Sequence, residues 1–215
     1  MIQKVLLLHP GEMGASIGSA LVSNKHEVVW ASQNRSKDTK NRATGNKFVD
    51  KLSLKKAVTY CDHVITICPP TVAIEVALSV KEMGFKGIYI DANAIAPSTA
   101  SKIQEIVGPR FVDGGIIGPP AWEKGSTRLY LSGKCSEEVV SWFKDSLVDA
   151  RSMKNSASAL KMSYAAYTKG SSALILSIRA LAKKYGIEES LMEEWEISQP
   201  GLKERSESTA SGTAS

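Results

Sequence analysis

Three cysteines, Cys61, Cys68 and Cys135, are all that the chain has. Their spacing matches no metal-ligand pattern, and an odd number does not build a disulfide framework. No apolar run is long enough to span a membrane, and the opening residues do not read as a signal peptide. A cytoplasmic protein in a reducing compartment, without a membrane partner, is the expectation. Lys and Arg number 27 against 22 Asp and Glu, a net charge of +5. Yet there is no dense basic block and no aromatic–basic interleaving, so a nucleic-acid groove is not expected. The surplus suits an anionic small molecule instead. Disorder is excluded for most of the chain, since 43% of residues are hydrophobic and 23% charged, as in globular domains.

What is present begins with Val5-Leu6-Leu7-Leu8, an apolar run that reads as a strand buried on both faces. His9-Pro10-Gly11-Glu12-Met13-Gly14 follows, and then a helix with Ala15, Ile17, Ala20 and Leu21 inward. This is the opening of a dinucleotide-binding βαβ unit, in which a helix N-terminus meets a pyrophosphate. His9, Pro10, Gly11, Glu12 and Met13 are the candidate contacts. The G-x-G-x-x-G fingerprint is incomplete, because His9 holds the first glycine position. Its side chain must turn away from the cofactor, or the turn must open. The competing reading is a strand-turn-helix with no cofactor.

A second strand, Glu27 to Ala31, ends without the acidic residue that reads a ribose 2′-hydroxyl in NAD enzymes. Ser32-Gln33-Asn34-Arg35-Ser36-Lys37 stands there. Arg35 can pair with a 2′-phosphate and stack on adenine, while Asn34 and Ser36 add neutral donors. NADP (NADPH) is therefore expected over NAD. Further strands read at His63–Cys68, Gly87–Asp91, Arg110–Asp113 and Arg128–Ser132, the last of the set. Helices read at Ser53–Tyr60, from a Thr71 cap to Met83, at Ser98–Val107 and from Ser136 to about Leu147. Such alternation implies an α/β fold, a Rossmann-type doubly wound, mostly parallel sheet whose ligands lie beyond the strands' carboxyl ends. Those ends carry His9, Asn34, Cys68-Pro69-Pro70, Asn93 and Gly114-Gly115.

Near Ala150 the character changes. Leu160, Tyr164, Tyr167, Ser171, Leu174, Ile178 and Leu181 recur at helical spacing, one long helix ending at Gly186. Residues 1–152 are read as the NADP-binding domain, 153–202 as a helical part and 203–215 as a disordered or loosely ordered tail.

Together these segments resemble the β-hydroxyacid dehydrogenase family, which includes 6-phosphogluconate and 3-hydroxyisobutyrate dehydrogenases. The resemblance runs to about Arg205. Met13-Gly14 matches the end of that family's G-x-G-x-M-G, and Asn34-Arg35-Ser36 the N-R-[ST] of its NADP-preferring members. Asp91 to Pro97 lies over D-x-S-T-x-x-P, and Phe111-Val112-Asp113 with Gly118 over F-V-D-A-P-V-S-G-G. Lys161 sits where the family's catalytic lysine opens the interdomain helix. The family's serine and threonine are replaced by Asn93 and Ala94, the serine of S-G-G by Ile117, and the asparagine four residues after the lysine by Ala165. The Asp113-Gly114-Gly115-Ile116-Ile117-Gly118-Pro119-Pro120 segment and Ser158-Ala159-Leu160-Lys161-Met162 look like a divergent phosphogluconate dehydrogenase-like branch of unassigned substrate.

The resemblance implies an NADP-dependent oxidoreductase, moving a hydride between nicotinamide and a small hydroxy or oxo acid or a related carbonyl or imine compound. It makes Lys161 the proton-transfer residue, with Tyr164 as a nearby donor. A lysine on a long helix is most often solvated; between Leu160 and Met162 it is expected at a packed face, partly desolvated. Cofactor contacts extend to Cys68, Pro69, Pro70 and Asn93; Asn93, Gly114, Gly115 and Tyr164 would meet substrate. Relatives usually carry several more helices, so the helical domain is expected to be short and incomplete, with a homodimer through the C-terminal helices. The alternatives are a catalytically weak NADP-binding protein, regulatory or truncated, and an α/β domain holding another phosphate ligand.

Overall fold

A computed structural model of the chain describes residues 1–212. It divides into two compact units, Met1–Met162 and Ser163–Ser215.

The first unit is built on one eight-stranded sheet. Strands β1 (Lys4–Leu8), β2 (Glu27–Trp30), β3 (Val49–Asp50), β4 (His63–Thr66), β5 (Ile88–Asp91), β6 (Phe111–Ile117), β7 (Thr127–Ser132) and β8 (Val148–Met153) lie in the order 3-2-1-4-5-6-7-8. β1 to β6 pair in parallel, β7 runs antiparallel to β6, and β8 runs parallel to β7. The apolar runs are continuous because both faces of the sheet are covered. Val5 and Leu7 pack with helix α1 (Glu12–Ser23) and with Val139, Trp142 and Phe143 in and after α6 (Ser136–Ser141). Leu6 and Leu8 pack on the opposite face. That layer takes Ala57 and Val58 of α3 (Leu54–Tyr60), Ala77 and Val80 of α4 (Ala73–Glu82), and Ile103 of α5 (Pro97–Val107). Chain order reverses between β1 and β4, the crevice where open α/β sheets hold ligands.

Several elements differ from the sequence expectation. Helix α2 (Lys37–Gly45) fills a stretch that shows little periodicity, since Ala43 is its single buried residue. Thr71 caps nothing; a 3₁₀ turn, Pro70–Val72, leads into α4. The helix expected to reach Leu147 stops at Ser141, and β8 adds an edge strand beyond Arg128–Ser132. β8 is half exposed, so its sequence lacks the apolar run of a central strand. The units divide at Met162 rather than after 152, because the first turn of α7 (Ala157–Lys184) packs on β6.

The second unit holds the rest of α7, with α8 (Glu188–Ser198) and α9 (Leu202–Gly212). Arg179 pins it: Nε and Nη2 donate to Glu188 Oε1 at 3.0 and 2.8 Å, and Nη1 to the Ser206 carbonyl at 3.1 Å. Arg205 donates to the Tyr167 hydroxyl at 2.9 Å and to Ser171. The tail read as disordered or loosely ordered is thus helical to Gly212, because Ser206 is fully buried and two arginines hold the turn around it. The last three residues of that tail, 213–215, lie outside the described residues.

Candidate functional site

At the carboxyl end of β1 the chain makes a tight turn, with the Gly11 N–H donating to the His9 carbonyl at 2.7 Å. Gly11 is the N-cap of α1 with no side-chain cap, so the first N–H groups of that helix remain to meet a ligand. A Cβ built on Gly11 has nothing within 4 Å, whereas one on Gly14 falls 2.7 Å from the His9 carbonyl oxygen. The two glycines have the two roles the fingerprint requires: open approach at one, close helix–strand packing at the other. His9 takes a left-handed backbone, φ 66°, in the place of the first glycine. Its ring is half buried and its Nδ1 is buried without a hydrogen bond of good geometry. Burial first, then the charge of Arg35, holds this imidazole down at about 4, against the pull of the Leu8 carbonyl. Pro10 is buried, and Met13 packs against the core, leaving its backbone for a ligand. Glu12, which would repel a phosphate, is engaged by Arg42 Nε at 2.6 Å.

At the end of β2, Asn34 also has positive φ, 60°, and is exposed. Ser36 caps α2, its hydroxyl accepting from the Thr39 N–H at 3.2 Å. Arg35 is half buried, and burial pulls its guanidinium below its ordinary value. Among the described residues it forms no ion pair. Beside the open turn, that leaves a half-buried cation for an anionic ligand.

Asn93 behaves differently from its expected role. It is 2% exposed. Its amide nitrogen donates to Thr66 Oγ1 at 2.7 Å and Asp91 Oδ2 at 2.9 Å, while its oxygen accepts from the Cys68 N–H at 2.5 Å. The side chain is a clamp joining the ends of β4 and β5, and it holds Cys68, Pro69 and Pro70 in place. Pro69 and Pro70 are exposed along the crevice. Cys68 is pushed up to about 11 by burial and by Asp91, so it stays a thiol rather than a nucleophile. Asp91 is fully buried, and desolvation raises it to about 6 against the Asn93 hydrogen bonds.

Gly114 and Gly115 are also structural. A Cβ on Gly114 would fall 2.8 Å from the Asp91 carbonyl oxygen; one on Gly115, 2.7 Å from the Ala157 carbonyl oxygen and 3.1 Å from Lys161 Cβ. Both spaces are filled by protein, and the second brings the first turn of α7 onto β6. Lys161 thus stands half buried over Gly115 of β6. Tyr164 belongs to the second unit and is 47% exposed. Asp113 sets the start of α7. Its Oδ2 accepts from the Ser158 N–H at 3.0 Å, the Ser158 hydroxyl at 3.1 Å and the Ser156 hydroxyl at 2.8 Å. An acid at a helix N-terminus also meets the positive end of its dipole.

Two features escaped the sequence reading. Asp113 reaches residues more than forty positions away, a link that no spacing reveals. The Ser16 hydroxyl accepts from the Ala121 N–H at 2.9 Å, tying the β6–β7 loop to α1. Trp122 stands 47% exposed on that loop. An aromatic after Pro119-Pro120 in a polar loop was the available signal.

The family model described as NADP oxidoreductase coenzyme F420-dependent matches residues 4–95, from β1 past Asn93. A protein of Methanothermus fervidus, described as an uncharacterized 28.5 kDa protein in the 7S RNA 5′ region, is 31% identical over 188 residues, 85% of this chain and 72% of its own. A solved structure of a conserved protein of unknown function, described as similar to 3-hydroxyacid dehydrogenases, is 28% identical at a TM-score of 0.77, covering 98% of this chain and 82% of that one. The chain belongs to the hydroxyacid dehydrogenase-like family, as a divergent member. The family model matched over residues 4–95 is one of NADP oxidoreductases. The 3-hydroxyisobutyrate dehydrogenase of Mycobacterium tuberculosis, solved with L-serine, shares the fold at 18% identity and a TM-score of 0.68, over 93% of this chain and 72% of that one.

Proposed function

We propose that the chain is an NADP-dependent reductase or dehydrogenase acting on a small hydroxy or oxo acid, or on a related carbonyl or imine compound. The observation that carries the cofactor choice is Arg35, a half-buried guanidinium with no ion pair among the described residues, beside the open Gly11 turn. The diphosphate would lie on the α1 N-terminus and the 2′-phosphate against Arg35. Bound nicotinamide supplies or accepts the hydride. Lys161 gives or takes the proton at the substrate oxygen or nitrogen. Asn93, held by Thr66 and Asp91, positions the Cys68–Pro70 turn along the crevice.

Fluorescence titration tests the cofactor. NADPH is expected to bind tighter than NADH by roughly 1.5–3 kcal/mol, the range of hydrogen bonds to charged groups. Arg35→Ala should remove most of the difference; equal affinities in the unmodified protein contradict it. Turnover on a panel of oxo acids and imines separates this reading from that of a catalytically weak NADP-binding protein, which the replaced family serine and Ala165 favour.

The partner is a second copy of the chain. Tyr167, Leu174 and Leu181 recur seven residues apart on α7 and are 65%, 61% and 56% exposed, an apolar seam of coiled-coil spacing. Light scattering giving a dimer supports this, and a monomer at high concentration contradicts it.

A further inference from the structure

His9 is the member of the opening turn that departs from the fingerprint, and it does so at a structural cost. A left-handed residue other than glycine is disfavoured by about 1–2 kcal/mol. We infer that His9 couples cofactor binding to proton uptake: it takes one proton from solvent as the dinucleotide's diphosphate settles on the turn, so binding tightens as the solution is acidified. This rests on the reading above that the turn holds a dinucleotide.

The geometry supplies each part. His9 has a left-handed backbone, φ 66°, is half buried, and stands two residues before the N-cap of α1. Nδ1 is buried without a hydrogen bond of good geometry, and the Leu8 carbonyl beside the ring favours its charged form. Among the described residues, the charge that acts on His9 is a cation, Arg35, from the loop after β2. The N–H groups opening α1 carry the positive end of the helix dipole. Cys68, after β4, is held neutral, and the Glu12 carboxylate is engaged by Arg42 of α2. In the ligand-free turn a second positive charge is therefore rejected, and His9 is neutral near pH 7. A diphosphate reverses that balance, because its negative charge favours the imidazolium. The imidazolium has two N–H donors. Nδ1 would face the Leu8 carbonyl and Nε2 a phosphate oxygen. The proton comes from the buffer, and no bond to the ligand is made or broken.

The sign follows. A group whose pKa is higher in the complex than in the free protein takes up protons on binding between the two values, and affinity rises as pH falls through that window.

The experiment is calorimetric titration of NAD⁺ and NADP⁺ near pH 6, in two buffers of different ionisation enthalpy, on the unmodified protein and on His9→Gly. Glycine accepts the left-handed backbone, and a thermal melt checks the fold. NAD⁺ is included because a phosphate monoester itself titrates near pH 6. Asp91, raised to about 6, is present in both proteins and cancels in the difference. The unmodified protein should take up most of one proton more than His9→Gly. Its affinity should rise towards tenfold per pH unit on acidification, the limit for one linked proton, and that of His9→Gly should stay flatter. Equal uptake in the two proteins, with binding intact, overturns the inference and leaves the cofactor reading standing. Failure of both dinucleotides to bind the unmodified protein overturns both.

Discussion

At the amino end of the parallel strands, His63 lies with its ring centroid 4.5 Å from that of Trp142, and its Nε2 is 2.8 Å from Gln3 Oε1. At the carboxyl end, His9 adopts φ 66° beside Arg35 and an open glycine turn. Burial lowers both imidazoles, and neither Nδ1 has a hydrogen bond of good geometry. The difference lies in the neighbours. His63 is packed by an aromatic ring in a closed layer, and His26 joins it there, its Nδ1 accepting from the Gln3 N–H at 3.1 Å. His9 has a cation acting on it and stands next to a helix N-terminus and the open Gly11 turn. A depressed histidine thus lies in a core at one end and at the proposed nucleotide turn at the other, and burial alone does not tell them apart.

The largest effect is expected at the carboxyl end. Lys161→Met should lower turnover by ~10²–10⁴-fold with dinucleotide affinity nearly unchanged, since methionine keeps the stem and carries no proton. Retained turnover in a stopped-flow assay removes Lys161 from the chemistry. Next come the paired glycines. Gly14→Val should lose about 1–3 kcal/mol in denaturant unfolding, because its side chain meets the His9 carbonyl. Gly11→Val should abolish dinucleotide binding and change stability by less than about 1 kcal/mol. If both variants are equally stable, the turn is not packed as described.

The histidines themselves give a smaller contrast. His63→Ala should cost about 2–4 kcal/mol, as when a buried ring is deleted. His9→Gly should shift stability by no more than about 1 kcal/mol, relief of the left-handed backbone offsetting the extra freedom of glycine when unfolded. Equal losses would erase the distinction between the two ends.

The smallest effect is on pH dependence. His9, His26 and His63 all lie below the ordinary 6.5, so the unfolded chain binds protons first, and stability falls as pH drops below that value. Asp91, raised from 3.8 to about 6, has the opposite sign, because the folded form keeps its proton in that window and gains stability on acidification. Three groups oppose one, so melting temperature should decline from near neutrality towards about pH 4. A flat or rising profile would show that the buried histidines are not neutral in the fold.

The carboxyl end was legible in the sequence where its features are local. The apolar run of β1, the glycines after it, and Arg35 in place of an acid are each set by neighbouring residues, and the crevice follows from strand order. Elements with little to bury were not legible. α2 buries only Ala43 and starts from the Ser36 cap; β8 is a half-exposed edge; α9 is held by Arg179 and Arg205 rather than by an apolar stripe of its own. Long-range hydrogen bonds were equally hidden. Asn93 faces Thr66 and Cys68 across the strand ends, so an amide expected to meet a ligand serves as a clamp. Asp113 caps a helix from another strand.

Amide chemical shifts of ¹⁵N-labelled protein titrated with NADP⁺ compare the two ends directly. Binding at the carboxyl end should move the resonances of Gly11, Arg35, Cys68 and Asn93, and leave Gln3, His26, His63 and Trp142 in place. Shifts concentrated on the second set, or none on the first at saturating cofactor, would contradict the assignment of the carboxyl end as the nucleotide site.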